Sequence, residues 1–124
     1  VKLVRREQHS SPLRRWLAEH GDARPITSVL AEVEVWRAVR RRTPGLFAAI
    51  PPVLARLSLL DLSAAVRSIA ANVGEPQLRA LDAIHLATAM LVRSELACVV
   101  SYDTRLLDGA RGLGLEVASP GVSA

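Results

Sequence analysis

From Leu81 to Val92 the chain is mostly apolar, and its only formally charged side chain is Asp82. The segment Leu78-Arg79-Ala80-Leu81-Asp82-Ala83-Ile84-His85-Leu86-Ala87-Thr88-Ala89, continuing through Met90, Leu91 and Val92, reads as one helix. A helix this apolar is expected to be mostly buried. A carboxylate is costly to bury unless something pairs with it. Asp82 therefore calls for an arginine, a hydrogen-bonding network or a metal ion. Three- and four-residue spacing places Leu78, Arg79, Asp82, His85, Leu86, Ala89 and Arg93 on one stripe. Asp82 also lies near the helix start, where the backbone dipole favours negative charge. The simplest reading is a structural Asp82–Arg79 pair.

The rest of the chain alternates helices with short strands. Val1 to Glu7 reads as the tail of a helix. Ser10 or Ser11 followed by Pro12 opens another, running to about His20 with Leu13, Trp16 and Leu17 inward, and Gly21 ends it. Pro25-Ile26-Thr27 predicts a strand, and Ser28 is placed to cap a helix from Leu30 to Arg42. After the break Thr43-Pro44-Gly45, a helix from Leu46 to Arg56 is kinked or split by Pro51-Pro52. Leu57 to Leu62 reads as a strand, and Ser63 to Asn72 as a helix capped by Ser63. Ala97 to Ser101 is a short buried strand, Thr104 to about Arg111 a helix, and Leu115 to Val117 a final strand. Ser119 to Ala124 reads as a tail. The alternation predicts an α/β domain with a largely parallel sheet and helices on both faces. Sites in such folds form at the C-terminal ends of strands, and Asp103 is at one.

The 124 residues suit a single domain, 1–124. With one Phe, one Tyr and two Trp, its core must be built from Leu, Val, Ala and Ile. The lone Cys98 excludes an internal disulfide and a cysteine zinc site, and its apolar surroundings suit an inert thiol. There is no signal-peptide pattern and no apolar run long enough to span a bilayer, so a soluble cytoplasmic protein is expected. The net charge is +4, and fifteen of the sixteen basic residues are arginine. That favours an anionic partner, nucleic acid first. A GC-rich genome would enrich arginine without any function.

Four acids stand apart from the solvated majority. Glu32 and Glu34 lie in the apolar Val29–Val39 stretch, Asp82 in the apolar helix, and Asp103 after a buried strand. Carboxylates converging in a dry pocket repel and take up protons, a penalty that a divalent cation removes. Magnesium and manganese favour oxygen ligands. A cation so held suits phosphodiester hydrolysis. Each acid also has a structural reading: Asp103 as an N-cap, Glu34 paired with Arg37, and His85 as a satisfied core or rim histidine.

Three segments together resemble the PIN-domain nucleases. Thr27-Ser28-Val29-Leu30-Ala31-Glu32-Val33-Glu34-Val35-Trp36-Arg37-Ala38 is similar to that family's second motif. Leu78 to Ala89 is similar to the third and most specific, and Val99-Val100-Ser101-Tyr102-Asp103-Thr104-Arg105-Leu106 to the fourth. The nearest subfamily is the VapC toxins of bacterial toxin–antitoxin pairs. The resemblance implies a parallel sheet flanked by helices, usually dimeric, that cleaves RNA with Mg2+ or Mn2+ and is silenced by a cognate VapB antitoxin. It also implies that Glu34, Asp82 and Asp103 are metal-binding, catalytic acids, and that Ser101 is a supporting hydroxyl. Glu34 is preferred to Glu32 because it precedes Val35-Trp36-Arg37-Ala38. The family begins with a strand carrying a first aspartate. Val1-Lys2-Leu3-Val4 instead matches the middle of the helix after it, so an N-terminally shortened form lacking one metal ligand is expected.

The leading reading is a metal-dependent ribonuclease toxin acting on single-stranded loops, with Arg37 to Arg42 and Arg105 contacting phosphates. A second is a non-catalytic PIN-like module that binds RNA or protein with an incomplete acidic set. A third, a basic helical DNA-binding protein, fits poorly with the apolar strands near Leu57 and Cys98 and with the lack of a recognition helix.

Overall fold

The apolar stretch around Asp82 forms the helix that organises its half of the chain. In a computed structural model, which describes residues 10–20 and 25–122, the element order is α1 (Ser10–Glu19), β1 (Ile26–Ser28), α2 (Leu30–Arg42), a 3-10 segment (Pro44–Ala49), α3 (Ile50–Leu54), β2 (Ser58–Leu60), α4 (Ala64–Asn72), α5 (Ala80–Leu91), a 3-10 turn (Arg93–Glu95), β3 (Val99–Val100), α6 (Thr104–Gly112) and β4 (Val117–Ala118). The mixed α/β class matches the sequence expectation. The predicted helix tail at Val1 to Glu7 and the Gly21 stop lie outside the described residues.

The chain divides into two compact units, Val1–Leu59 with Pro120–Ala124, and Leu60–Ser119. In the second unit α4 packs along α5, and α5 in turn meets α6. Ser63 caps α4 as expected, its hydroxyl accepting the Val66 N–H at 3.2 Å. Val66 is fully buried, and Ala83 and Ala87 on α5 are buried too. Leu86 is wholly enclosed with Ala110 of α6 and Leu115 ahead of β4. The buried positions 83, 86, 87 and 90 recur at helical spacing, with Met90 half-buried. The helix is less enclosed than its composition predicts, since Leu81 is 50% and Leu91 45% exposed.

Beyond α6 the chain turns at Gly114, whose φ of +77° suits glycine, and Leu115 N–H donates to Ala110 O at 3.0 Å. That turn brings β4 alongside β3 in parallel, Val99 opposite Val117 and Val100 opposite Ala118. The last strand thus lies at Val117–Ala118 and not Leu115–Val117, because Leu115 is drawn into the core under α6. Among the described residues the strands pair as β1 with β2 and β3 with β4.

In the first unit α2 has the bounds expected from sequence. Ser28 is buried, and its hydroxyl accepts the Leu30 N–H at 3.2 Å. Val29 occupies the cap position itself, so Ser28 acts from one residue earlier. Val39 of α2 and Ile50 of α3 are fully buried against each other, with Val35, Trp36 and Val53 around them. The helix predicted over Leu46 to Arg56 is divided between the 3-10 segment and α3. The dividing point lies ahead of the prolines: Pro51 and Pro52 fall in the first turn of α3, where a missing N–H costs nothing.

Because Leu86 is enclosed on every side, Leu86→Ala is expected to lower unfolding free energy by about 2–5 kcal/mol in urea titration. Leu91→Ala, at an exposed position of the same helix, should cost less than about 1 kcal/mol.

Candidate functional site

Asp103 is the best-fixed of the sequence-selected acids. It is the N-cap of α6, and its Oδ1 accepts the Arg105 N–H at 2.9 Å. The N-cap reading therefore holds. Among the described residues that bond occupies one carboxylate oxygen and leaves Oδ2 without a partner. The backbone is fixed as well. Asp103 N–H donates to Ser101 Oγ at 3.1 Å, Ser101 N–H donates to Ala118 O at 3.2 Å, and Ser119 Oγ donates to Ser101 O at 2.6 Å. The supporting hydroxyl expected at Ser101 acts by holding the Asp103 backbone. Ser119, read from the sequence as the start of a tail, was missed. No local pattern reveals a hydroxyl whose acceptor lies eighteen residues earlier.

Asp82 is half-buried in the first turn of α5. Among the described residues its carboxylate makes no hydrogen bond and no ion pair. The Asp82–Arg79 pair expected from helical spacing is not formed. The helix begins at Ala80, and Arg79 is its cap residue in extended conformation, φ −66° and ψ 148°, so it has left the helical stripe. What remains, among the described residues, is a half-buried carboxylate supported by the helix dipole.

Glu34 lies exposed on α2, in the first unit, and is itself engaged. Arg37 makes no ion pair among the described residues, so the Glu34–Arg37 pair is not formed. Glu32 is exposed in the first turn of the same helix. His85 is half-buried and engaged. Burial, reinforced by Glu116, pushes the Cys98 thiol up, which suits the inert role read for it. Burial also pushes the Tyr102 phenol up, so the side chain between Ser101 and Asp103 stays neutral. Among the described residues, no group of three or more His, Cys, Asp and Glu side chains is placed to hold a metal ion. No helix is long and apolar enough to cross a membrane among them.

With this geometry in hand, comparison with known proteins is specific. The PIN domain family matches residues 1–112. The chain is 47% identical over 123 residues to Ribonuclease VapC35 of Mycobacterium tuberculosis, an alignment covering 98% of this chain and 91% of that relative. It is 42% identical over 124 residues to Ribonuclease VapC47 of the same species, covering 98% and 91%. Ribonuclease VapC46, also from that species, is 38% identical over 120 residues, covering 97% and 91%. No solved structure matches the chain.

The two aspartates should respond differently to neutralisation. Asp103→Ala removes a cap and is expected to cost about 1 kcal/mol. Asp82→Asn loses only the dipole contribution, less than about 1 kcal/mol, because it has no partner to strand. Chemical denaturation of both variants at neutral pH measures the difference.

Proposed function

Because the chain belongs to the PIN-domain family and, within it, to the VapC ribonucleases, we propose that it is the toxin of a type II toxin–antitoxin pair. Its reaction is endonucleolytic hydrolysis of RNA phosphodiester bonds. The observation that carries this reading is Asp82: a half-buried carboxylate in a helix's first turn, with no protein partner among the described residues.

We assign Glu34, Asp82 and Asp103 as the acids that hold Mg2+ or Mn2+. The fit is one of donor chemistry: all three offer carboxylate oxygens, the ligands these hard cations take. Asp82, and Oδ2 of Asp103, have coordination capacity in reserve. When bound, such an ion supplies an activated water and positive charge toward the leaving oxygen. The chain's own residues do the positioning. Ser101 fixes the Asp103 backbone, the Arg105 amide fixes one of its oxygens, and the start of α5 holds Asp82 at a pole of positive potential. Exposed Arg105, next to Asp103, is placed to meet a phosphate.

The partners that go with this reading are an RNA substrate with reachable single-stranded bases, a VapB-type antitoxin and a second copy of the chain, in the cytoplasm. The 1–124 chain is read as one PIN-like domain. A second reading is a PIN-like module that binds RNA or protein without cleaving it.

Purified protein is expected to cleave single-stranded RNA with Mg2+ or Mn2+ and to lose that activity in EDTA and in Asp82→Asn. Cleavage undiminished in EDTA would refute the metal assignment. RNA binding without cleavage under any divalent cation would establish the second reading in its place.

A further inference from the structure

Residues 35–60 contain five arginines, Arg37, Arg40, Arg41, Arg42 and Arg56, and no acid. Four of them lie exposed on the C-terminal half of α2. None of the four makes an ion pair among the described residues, whereas Arg111 on α6 meets Asp108 at 3.2 Å. The helix dipole explains part of this, since Arg40, Arg41 and Arg42 occupy the last turn. It does not explain Arg37, a turn earlier, where the dipole's influence has faded. Arg37 and Arg41 stand four apart, a like-charge spacing that weakens a helix. The C-terminal half of the helix thus carries like charges with no ion pair among the described residues, and an external polyanion would relieve their repulsion.

The adjoining surface indicates which polyanion. Phe47, in the 3-10 segment packed on α2, meets Trp36 edge to face, with ring centroids 5.6 Å apart at 64°. It nevertheless stays 38% exposed, and Leu46 beside it is 37% exposed. Arg40 follows Trp36 by one helical turn, so this arginine continues the stripe on which the aromatic pair is seated, and Arg37 and Arg41 lie on the neighbouring stripe. Phosphates spaced along a strand suit the guanidinium row. Bases free of a duplex suit an exposed ring, because every base has a face that can stack. An acidic polypeptide would use the same charges, whereas a nucleic-acid strand brings a base to stack on the ring with every phosphate it adds.

We propose that the C-terminal half of α2, together with Phe47, is a docking surface for single-stranded RNA. Arg37, Arg40, Arg41 and Arg42 bind phosphates, and Phe47 stacks on a base. The proposal rests on reading the chain as an RNA-directed protein. It adds where the strand is gripped, by groups that need no cation.

The test is binding of a labelled oligouridylate in EDTA, where cleavage is suppressed, across a salt titration. The double variant Arg40→Ala with Arg41→Ala should lessen the slope of log affinity against log salt by about 1.4, roughly 0.7 for each single-strand phosphate that is no longer neutralised. Phe47→Ala should weaken binding about tenfold with the slope unchanged. Phe47→Leu keeps an apolar side chain against Trp36 and should weaken binding in the same way if the alanine variant fails to fold. Wild-type binding matched in affinity and slope by all the variants would overturn the surface while leaving the RNA reading intact. A wild type that binds no RNA would overturn both. Tighter binding of polyglutamate than of oligouridylate would overturn the surface in favour of an acidic protein partner.

Discussion

The enclosure of Leu86 is the constraint on which the second unit depends. It fixes α5 against α6 and against Leu115, and through Leu115 it decides where β4 begins. Only with β4 in register beside β3 do the Ala118 carbonyl and the Ser119 hydroxyl reach Ser101, and only then is the Asp103 backbone held from two sides. An apolar cluster in the core and a polar arrangement at the strand ends are therefore parts of one construction. The same helix that is anchored by Leu86 presents Asp82 one turn earlier, in its first turn, half out of water.

The helices were the legible part of this chain. The bounds of α2 follow from its apolar spacing and from the break at Thr43-Pro44-Gly45, and α4 follows from Ser63 and its three-residue reach to Val66. Legibility failed where local pattern and tertiary packing disagree. Leu115 looks like strand because it opens an alternating run, yet the core beneath α6 takes it first. Arg79 looks like a helical neighbour of Asp82, yet the helix starts one residue after it. Pro51-Pro52 looks like a breaker inside a helix and instead opens one.

The candidate site divides along the same line. Asp82 could be singled out from sequence because a carboxylate in apolar company is anomalous, and Asp103 because it follows a buried strand. Whether such an acid is capped, paired or left open depends on neighbours that spacing does not disclose. Asp103 turned out to be a cap with capacity left over, and Asp82 an acid with no described partner at all. The motif resemblance supplied roles for both. The structure supplied the mechanical part, the two serines that set one of them.

The hydroxyl of Ser119 and the carbonyl of Ser101 are eighteen positions apart. During synthesis a nascent chain that has not yet reached Ser119 lacks the second strap on the Asp103 turn, however well α5 has already formed. The turn is then tethered on one side only.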